Sequence, residues 1–267
     1  MALKHFMAEQ MRKPSGWFGS VILSRLLNRM NTAVVESTLS RIALEPHHHV
    51  LEIGFGGGAA LALVSKRLIA GVVTGVDFSP EMVREAERRF RHEIANGRLC
   101  VLLGDIAALP FASATFDRVF TINTIYFWPD TLQGFAEIRR VLKPGGLAVI
   151  ALRSRENMER VSFTQHGFRL FSPPEVPPFM QQAGFTNVKL THERQGTRID
   201  EVLVSGVPPN NAIIGAARKA LPLLRSTLAE RGYNVSFTKY PDEHERERLR
   251  IERPEFYAEM FGIHHRP

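Results

Sequence analysis

Cysteine is nearly absent: one residue of 267, Cys100, carries a thiol. That excludes a disulfide framework and a cysteine-built zinc site, and it fits a reducing compartment. No run of 18 apolar residues occurs, so no membrane-spanning helix is expected. The opening MALKHFMAEQMRKPSG lacks the apolar core and small-residue cleavage site of a secretory leader, and a cytoplasmic location is expected. Internal repeats and low-complexity tracts are also missing. What remains, 44% hydrophobic and 23% charged residues, is ordinary globular composition with enough apolar material for a sizeable core.

Basic residues outnumber acidic ones 34 to 27, a net charge of +7. In residues 1–31, Lys4, Arg12, Lys13, Arg25 and Arg29 face one acid, Glu9, so +4 of the excess lies there. No stripe of Lys and Arg with interleaved aromatics follows, which argues against a nucleic-acid partner. Within residues 17–30, Trp17, Phe18, Val21, Ile22, Leu26, Leu27 and Met30 recur at helical spacing. This pattern predicts a helix packed on a core or closing over a substrate. Peripheral membrane contact through residues 17–30 is the other reading of the same face.

The middle of the chain alternates strand-like and helix-like segments, the pattern of a parallel sheet covered on both faces. Strands are expected at His49–Ile53, Gly71–Val76, Arg98–Leu103, Phe116–Asn123 and Leu147–Leu152. Helices are expected at Ala59–Leu68, Pro80–Arg91 (with Ser79 as its cap), Leu132–Leu142 and Ser172–Ala183. The run Lys143-Pro144-Gly145-Gly146 reads as a stop and turn. Asn187–Thr191 and Glu201–Val207 read as a final antiparallel pair. The expected organisation is an N-terminal lid or cap over residues 1–44, an α/β domain over 45–207 and an extension over 208–267.

The loop Gly54-Phe55-Gly56-Gly57-Gly58-Ala59 follows a strand and opens a helix. Glycines there admit positive φ and let a ligand approach the backbone, and the helix N-terminus offers free N–H groups. With Asp77 about 20 residues on, at a strand end, the loop also satisfies the dinucleotide pattern G-x-G-x-x-G/A. A nucleotide-type cofactor is therefore expected, and the loop alone leaves its identity open.

The further motifs narrow it. Val50-Leu51-Glu52-Ile53-Gly54-Phe55-Gly56-Gly57-Gly58 resembles the first motif of class I S-adenosylmethionine-dependent methyltransferases. Gly75-Val76-Asp77-Phe78-Ser79-Pro80-Glu81-Met82 resembles their second motif, and Gly104-Asp105-Ile106-Ala107-Ala108-Leu109-Pro110-Phe111 their adenine-side loop. Phe116-Asp117-Arg118-Val119 and Arg140-Val141-Leu142-Lys143-Pro144-Gly145-Gly146 complete the series in family order. The flavour is that of the small-molecule branch containing the ubiquinone and menaquinone-biosynthesis enzymes. The resemblance implies a Rossmann-like, seven-stranded, mostly parallel sheet of order 3-2-1-4-5-7-6 and S-adenosylmethionine as cofactor. It also implies site roles. Gly54, Gly56 and Gly58 would contact the methionyl and ribose portion, and Glu52 would help hold the amino group. Asp77 would accept both ribose hydroxyls and Phe78 would pack on the adenine. Asp105 would accept from the exocyclic amine, Ile106 would offer an N–H to a ring nitrogen, and Asn123 would sit beside the methyl group.

Methyl transfer from a sulfonium demands mainly alignment; a general base matters only where the acceptor must lose a proton. Tyr126 and His166 are the candidate catalytic residues, with Trp128 as a pocket wall or cation contact. Asn123-Thr124-Ile125-Tyr126 lacks the two prolines of the motif used on exocyclic amines of nucleic acids. His47-His48-His49 shows no Cys or acidic partner at ligand spacing, so a loop and no metal are expected. Residues 226–261, with His244, faintly resemble the end of an esterase fold, yet no G-x-S-x-G nucleophile elbow exists to complete it. The rival readings are a nicotinamide-dependent oxidoreductase and a cofactor-binding scaffold without turnover. A homodimer is compatible with the sequence.

Overall fold

In this computed structural model the described residues are 9–10, 32–195 and 198–208, all within the unit formed by residues 1–211. The helix expected from residues 17–30, and everything expected of residues 209–267, lie outside them.

Seven strands form one sheet: β1 (His49–Ile53), β2 (Val72–Asp77), β3 (Leu99–Leu103), β4 (Phe116–Ile122), β5 (Leu142–Leu152), β6 (Thr186–Gln195) and β7 (Arg198–Val207). Their order is β3-β2-β1-β4-β5-β7-β6, as the resemblance implies. The pairs among β1 to β5 are parallel, and β7 runs antiparallel to both neighbours. The inner strands are buried on both faces, which is why HVLEI and VVTGVD read as near-continuous apolar runs and not as alternation.

Side chains alternate between two cores. Leu51, Ile53 and Val119 point to the face covered by α5 (Thr131–Val141) and α7 (Val176–Gln182), where Phe135, Ile138 and Met180 pack. Val50, Val73 and Phe120 point to the opposite face, which receives α1 (Thr32–Arg41), α2 (Ala59–Arg67) and α3 (Pro80–Arg89). α1 supplies Val34, Val35 and Leu39, at 0 to 3% exposure. Each such fully buried aliphatic side chain contributes about 1.5–3 kcal/mol relative to an exposed one.

Several element boundaries differ from the sequence expectation. The helix expected over Pro80–Arg91 breaks at Phe90, and α4 (Arg91–Ala95) restarts after it. Ser79 caps α3 as expected, its side chain accepting from the Met82 N–H. The helix expected over Ser172–Ala183 is a 3-10 turn, Pro173–Glu175, followed by α7. Strand β5 begins at Leu142, because Leu142 pairs with Phe116 before the register shifts at Arg118. The Lys143–Gly146 run is therefore an irregular part of the strand and not a free turn. A short helix, α6 (Arg155–Met158), follows β5.

Candidate functional site

Chain direction reverses between β1 and β4: the crossovers from β1 lead through β2 to β3, and the chain then returns to β4 on the other side. Open α/β sheets bind ligands outside the strand carboxyl ends at such a switch point. A cavity of about 220 Å³ lies there. It is walled by Glu52–Gly57 at the end of β1, Asp77 and Phe78 at the end of β2, Gly104–Ile106 after β3, and Ile122–Thr124 with Tyr126–Pro129 at the end of β4.

The glycine loop is left-handed where it must be. Gly54, Gly56 and Gly58 have φ of 71°, 48° and 71°, values costly for a residue with a Cβ. A Cβ on Gly54 would also run into the Thr124 side chain, and one on Gly58 would lie 2.8 Å from the Phe90 ring. Asp77 holds this loop. Its Oδ2 accepts from the Gly56 N–H and its Oδ1 from the Ser79 N–H, both at 2.9 Å. Burial outweighs those donors, and its carboxyl is pushed up to about 6.

Glu52, on β1, is 3% exposed. Burial, and next the nearby Asp77 carboxyl, raise it well above the ordinary carboxylate range. Its Oε2 has no hydrogen-bond partner among the described residues. A buried polar atom without a partner is costly, so this cavity is prepared for a donor that the described residues do not supply.

Phe78, Asp105, Ile106, Asn123 and Tyr126 also line the cavity. Asp105 is exposed, and its Oδ1 accepts from the Ala107 N–H at 2.9 Å, fixing the turn. Asn123 follows β4 with φ 58°, a left-handed conformation that Asn tolerates better than most. The Tyr126 hydroxyl lies 3.2 Å from Asn123 Oδ1 and receives the Arg153 N–H at 2.5 Å. The phenol is thus 3% exposed and bonded to backbone. Trp128 walls the cavity as expected, donating Nε1–H to Thr124 Oγ1 at 3.2 Å.

His166 is the exception. It is not among the residues lining the cavity, while Phe163, Thr164 and Phe168 of the same segment are. A turn closed by the His166 N–H on the Phe163 carbonyl accounts for this: it brings Phe163 and Thr164 to the wall and carries His166 past it.

Other wall residues carried no motif signal. Val35 comes from α1, Met158 and Val161 from the segment after β5, and Phe127 from the loop after β4. Phe127, Phe163 and Phe168 form an aromatic cluster with Tyr126, the Phe127 and Phe168 rings lying 4.6 Å apart at 61°. Thr124 touches Thr121, whose hydroxyl bonds the Ile53 carbonyl at 2.8 Å, tying the β4 loop to the glycine loop.

The histidine run does have an acidic neighbour. Ligand atoms of Glu45, His47 and His48 all lie within 4.8 Å of one another. His48 Nδ1 accepts the Glu45 N–H at 3.0 Å, which in the neutral ring leaves the proton on Nε2. The ring is also shifted downward by burial and then by Arg118. Among the described residues this is a hydrogen-bonded turn whose buried histidine presents an N–H, and not a lone pair, to Glu45.

The site fits a nucleoside bearing a cationic amino-acid tail: a glycine cradle, an acid at a strand end, and a buried carboxyl oxygen without a donor. Comparison with known proteins agrees. Residues 51–150 match the methyltransferase domain family. The chain is 31% identical over 182 residues to 2-methyl-6-phytyl-1,4-hydroquinone methyltransferase 1 of rice, covering 66% of this chain and 52% of that enzyme. It is 29% identical over 181 residues to demethylmenaquinone methyltransferase of Lactiplantibacillus plantarum, covering 57% and 76%. The fold of a SAM-dependent methyltransferase from Aquifex aeolicus superposes with a TM-score of 0.56 at 21% identity, covering 68% and 95%. Residues 51–150 therefore form a methyltransferase domain, and the chain is similar to S-adenosylmethionine-dependent methyltransferases; it is an enzyme of that activity, with S-adenosylmethionine as its cofactor. Among the described residues no helix is long and apolar enough to cross a membrane.

Proposed function

We propose that this enzyme methylates a small, largely apolar or aromatic acceptor. The observation that carries the proposal is the division of one cavity into two chemistries. Glycines and the carboxyls of Glu52, Asp77 and Asp105 form one side; Tyr126, Phe127, Met158, Val161, Phe163 and Phe168 form the other. Relatives named for hydroquinone and menaquinone precursors support this class of acceptor.

In this reading Asp77 accepts both ribose hydroxyls, Glu52 binds the amino group, and Gly54, Gly56 and Gly58 give the backbone close access. Phe78 packs on the adenine, Asp105 accepts its exocyclic amine, and the Ile106 N–H meets a ring nitrogen. Bound there, S-adenosylmethionine supplies an electrophilic methyl group on a cationic sulfur. The chain's own contribution is alignment and exclusion of water, which can account for much of the rate. Tyr126 acts as a positioning residue, because its hydroxyl is held by the Arg153 backbone and faces Asn123. The same proposal keeps the domain at residues 45–207 under a cap formed by residues 1–44, supported by Val35 in the cavity wall, and keeps the enzyme cytoplasmic.

Thermal unfolding with S-adenosylhomocysteine, then a panel of quinols, phenols and nucleosides as acceptors, tests this. A ligand at 100 times its Kd stabilises the fold by about 2.7 kcal/mol. Turnover on nucleosides with none on quinols or phenols would overturn the acceptor assignment.

A further inference from the structure

We propose that the free enzyme carries a proton on the Glu52 carboxyl and that binding of the cofactor's ammonium group displaces it, so that cofactor capture releases a proton. This rests on the assignment of Glu52 to the amino group made above.

The argument is geometric. Glu52 lies in the inner strand β1, paired through the backbone with Gly75 of β2 and Phe120 of β4. β2 contributes Asp77, a second buried carboxyl. β4 contributes Phe120 and Thr121, which carry no charge. From α2 the Leu61 backbone N–H donates to Glu52. Arg89 reaches the glycine loop only at its exposed side, on the Gly57 carbonyl. Among the described residues, then, the charged neighbour that acts on Glu52 is another acid. Two carboxylates in a dry site without a cation cannot both ionise cheaply, and one retains its proton. Asp77 already accepts two backbone N–H groups, whereas Glu52 keeps an oxygen with none. The proton therefore rests on Glu52, and the upward shift of that group agrees.

An ammonium group entering beside Glu52 reverses the balance: an adjacent cation favours the carboxylate, and the O–H bond ionises to the solvent buffer. Linkage then requires affinity to rise with pH, by up to about tenfold per unit while Glu52 of the free enzyme remains protonated.

Titration calorimetry of the full chain with S-adenosylhomocysteine, in phosphate and in Tris at pH 6.5, 7.0 and 7.5, reads the proton directly. The expected result is a heat that differs between buffers, corresponding to release, and an affinity that strengthens with pH. Methylthioadenosine, which lacks the amino-acid tail, is expected to bind with equal heats in both buffers at pH 7.5, where Asp77 is almost wholly ionised. Glu52→Gln keeps the shape and should remove the release at pH 7.5, where Asp77, at about 6, is only about 3% protonated. If that variant does not fold, the comparison of the two ligands on the unaltered enzyme decides. Buffer-independent heats with intact S-adenosylhomocysteine binding would overturn the proton inference alone. Failure of the unaltered enzyme to bind S-adenosylhomocysteine would overturn the site reading beneath it.

Discussion

Asp77 serves the loop and the ligand with the same two oxygens. One accepts the Gly56 N–H and the other the Ser79 N–H, with the Phe78 N–H acting on the same carboxyl, and the carboxylate keeps acceptor capacity for a hydroxyl. Asp77→Asn keeps the size but leaves one acceptor where there were two. Charged hydrogen bonds are worth about 1.5–3 kcal/mol, so S-adenosylhomocysteine affinity should fall roughly 10- to 150-fold by calorimetry; an unchanged Kd would remove Asp77 from the site. Gly54→Ala would place a side chain at positive φ against Thr124, and thermal unfolding should show a loss of at least about 1–2 kcal/mol. Tyr126→Phe should lower kcat while leaving the S-adenosylhomocysteine Kd unchanged, since the ring stays and only the hydroxyl that holds Asn123 is lost. The glycines and Asp77 were legible in the sequence because their chemistry is local: a strand, a turn, an acid at the next strand end. Thr124 was not, because its task is set by the packing of the β4 loop on a loop about 70 residues earlier. His166 misled for the complementary reason, since composition cannot tell which residues of a turn face inward.

At the level of elements, α5 acts as a clamp on the loop that carries Asp105 and Ile106. Glu137 accepts the Leu109 N–H at 2.8 Å, and Arg140 donates to the Phe111 and Leu109 carbonyls at 2.6 and 2.9 Å. The two side chains also bond each other at 2.6 Å. The Arg140 guanidinium, above all, holds the Glu137 carboxyl below its usual range. That contribution to stability is complete above the ordinary Glu value near 4.5 and is lost as pH falls through the lower folded-state value. Arg140→Ala should destabilise by about 1–3 kcal/mol in denaturant unfolding at pH 7. It should also weaken cofactor binding although Arg140 touches no part of the cavity wall. The helix itself was expected over Leu132–Leu142; the structure adds its cap, Asp130, whose side chain accepts the Leu132 and Gln133 N–H groups. Its hold on the loop was not, because Arg140 acts on carbonyls roughly 30 residues away, and a carbonyl has no sequence signature.

For the whole molecule, the two buried acids set the response to pH. Asp77 stands at about 6 against an ordinary 3.8, and Glu52 is raised as well. The folded, ligand-free protein thus binds protons more tightly than the unfolded chain; the Asp77 part of the penalty is complete above about pH 6 and is relieved as pH falls toward 4, while the Glu52 part goes on accumulating for as long as that group keeps its proton. Asp77 alone makes this on the order of 3 kcal/mol. The ligand-free enzyme should melt at a higher temperature at pH 5 than at pH 7.5, and saturating S-adenosylhomocysteine should shrink that difference; a flat profile would deny the burial of the pair. The sheet order raises a different matter. β7 is inserted between β5 and β6, and β6 is hydrogen-bonded to the sheet only through β7. As the chain emerges from the ribosome, the apolar stretch Ala148–Leu152 of β5 exists before the strand that pairs with it. Until residue 207 is made, this edge stays open to other nascent chains. Ribosome-stalled fragments ending near residue 195 should therefore recruit chaperones more strongly than fragments ending beyond 207.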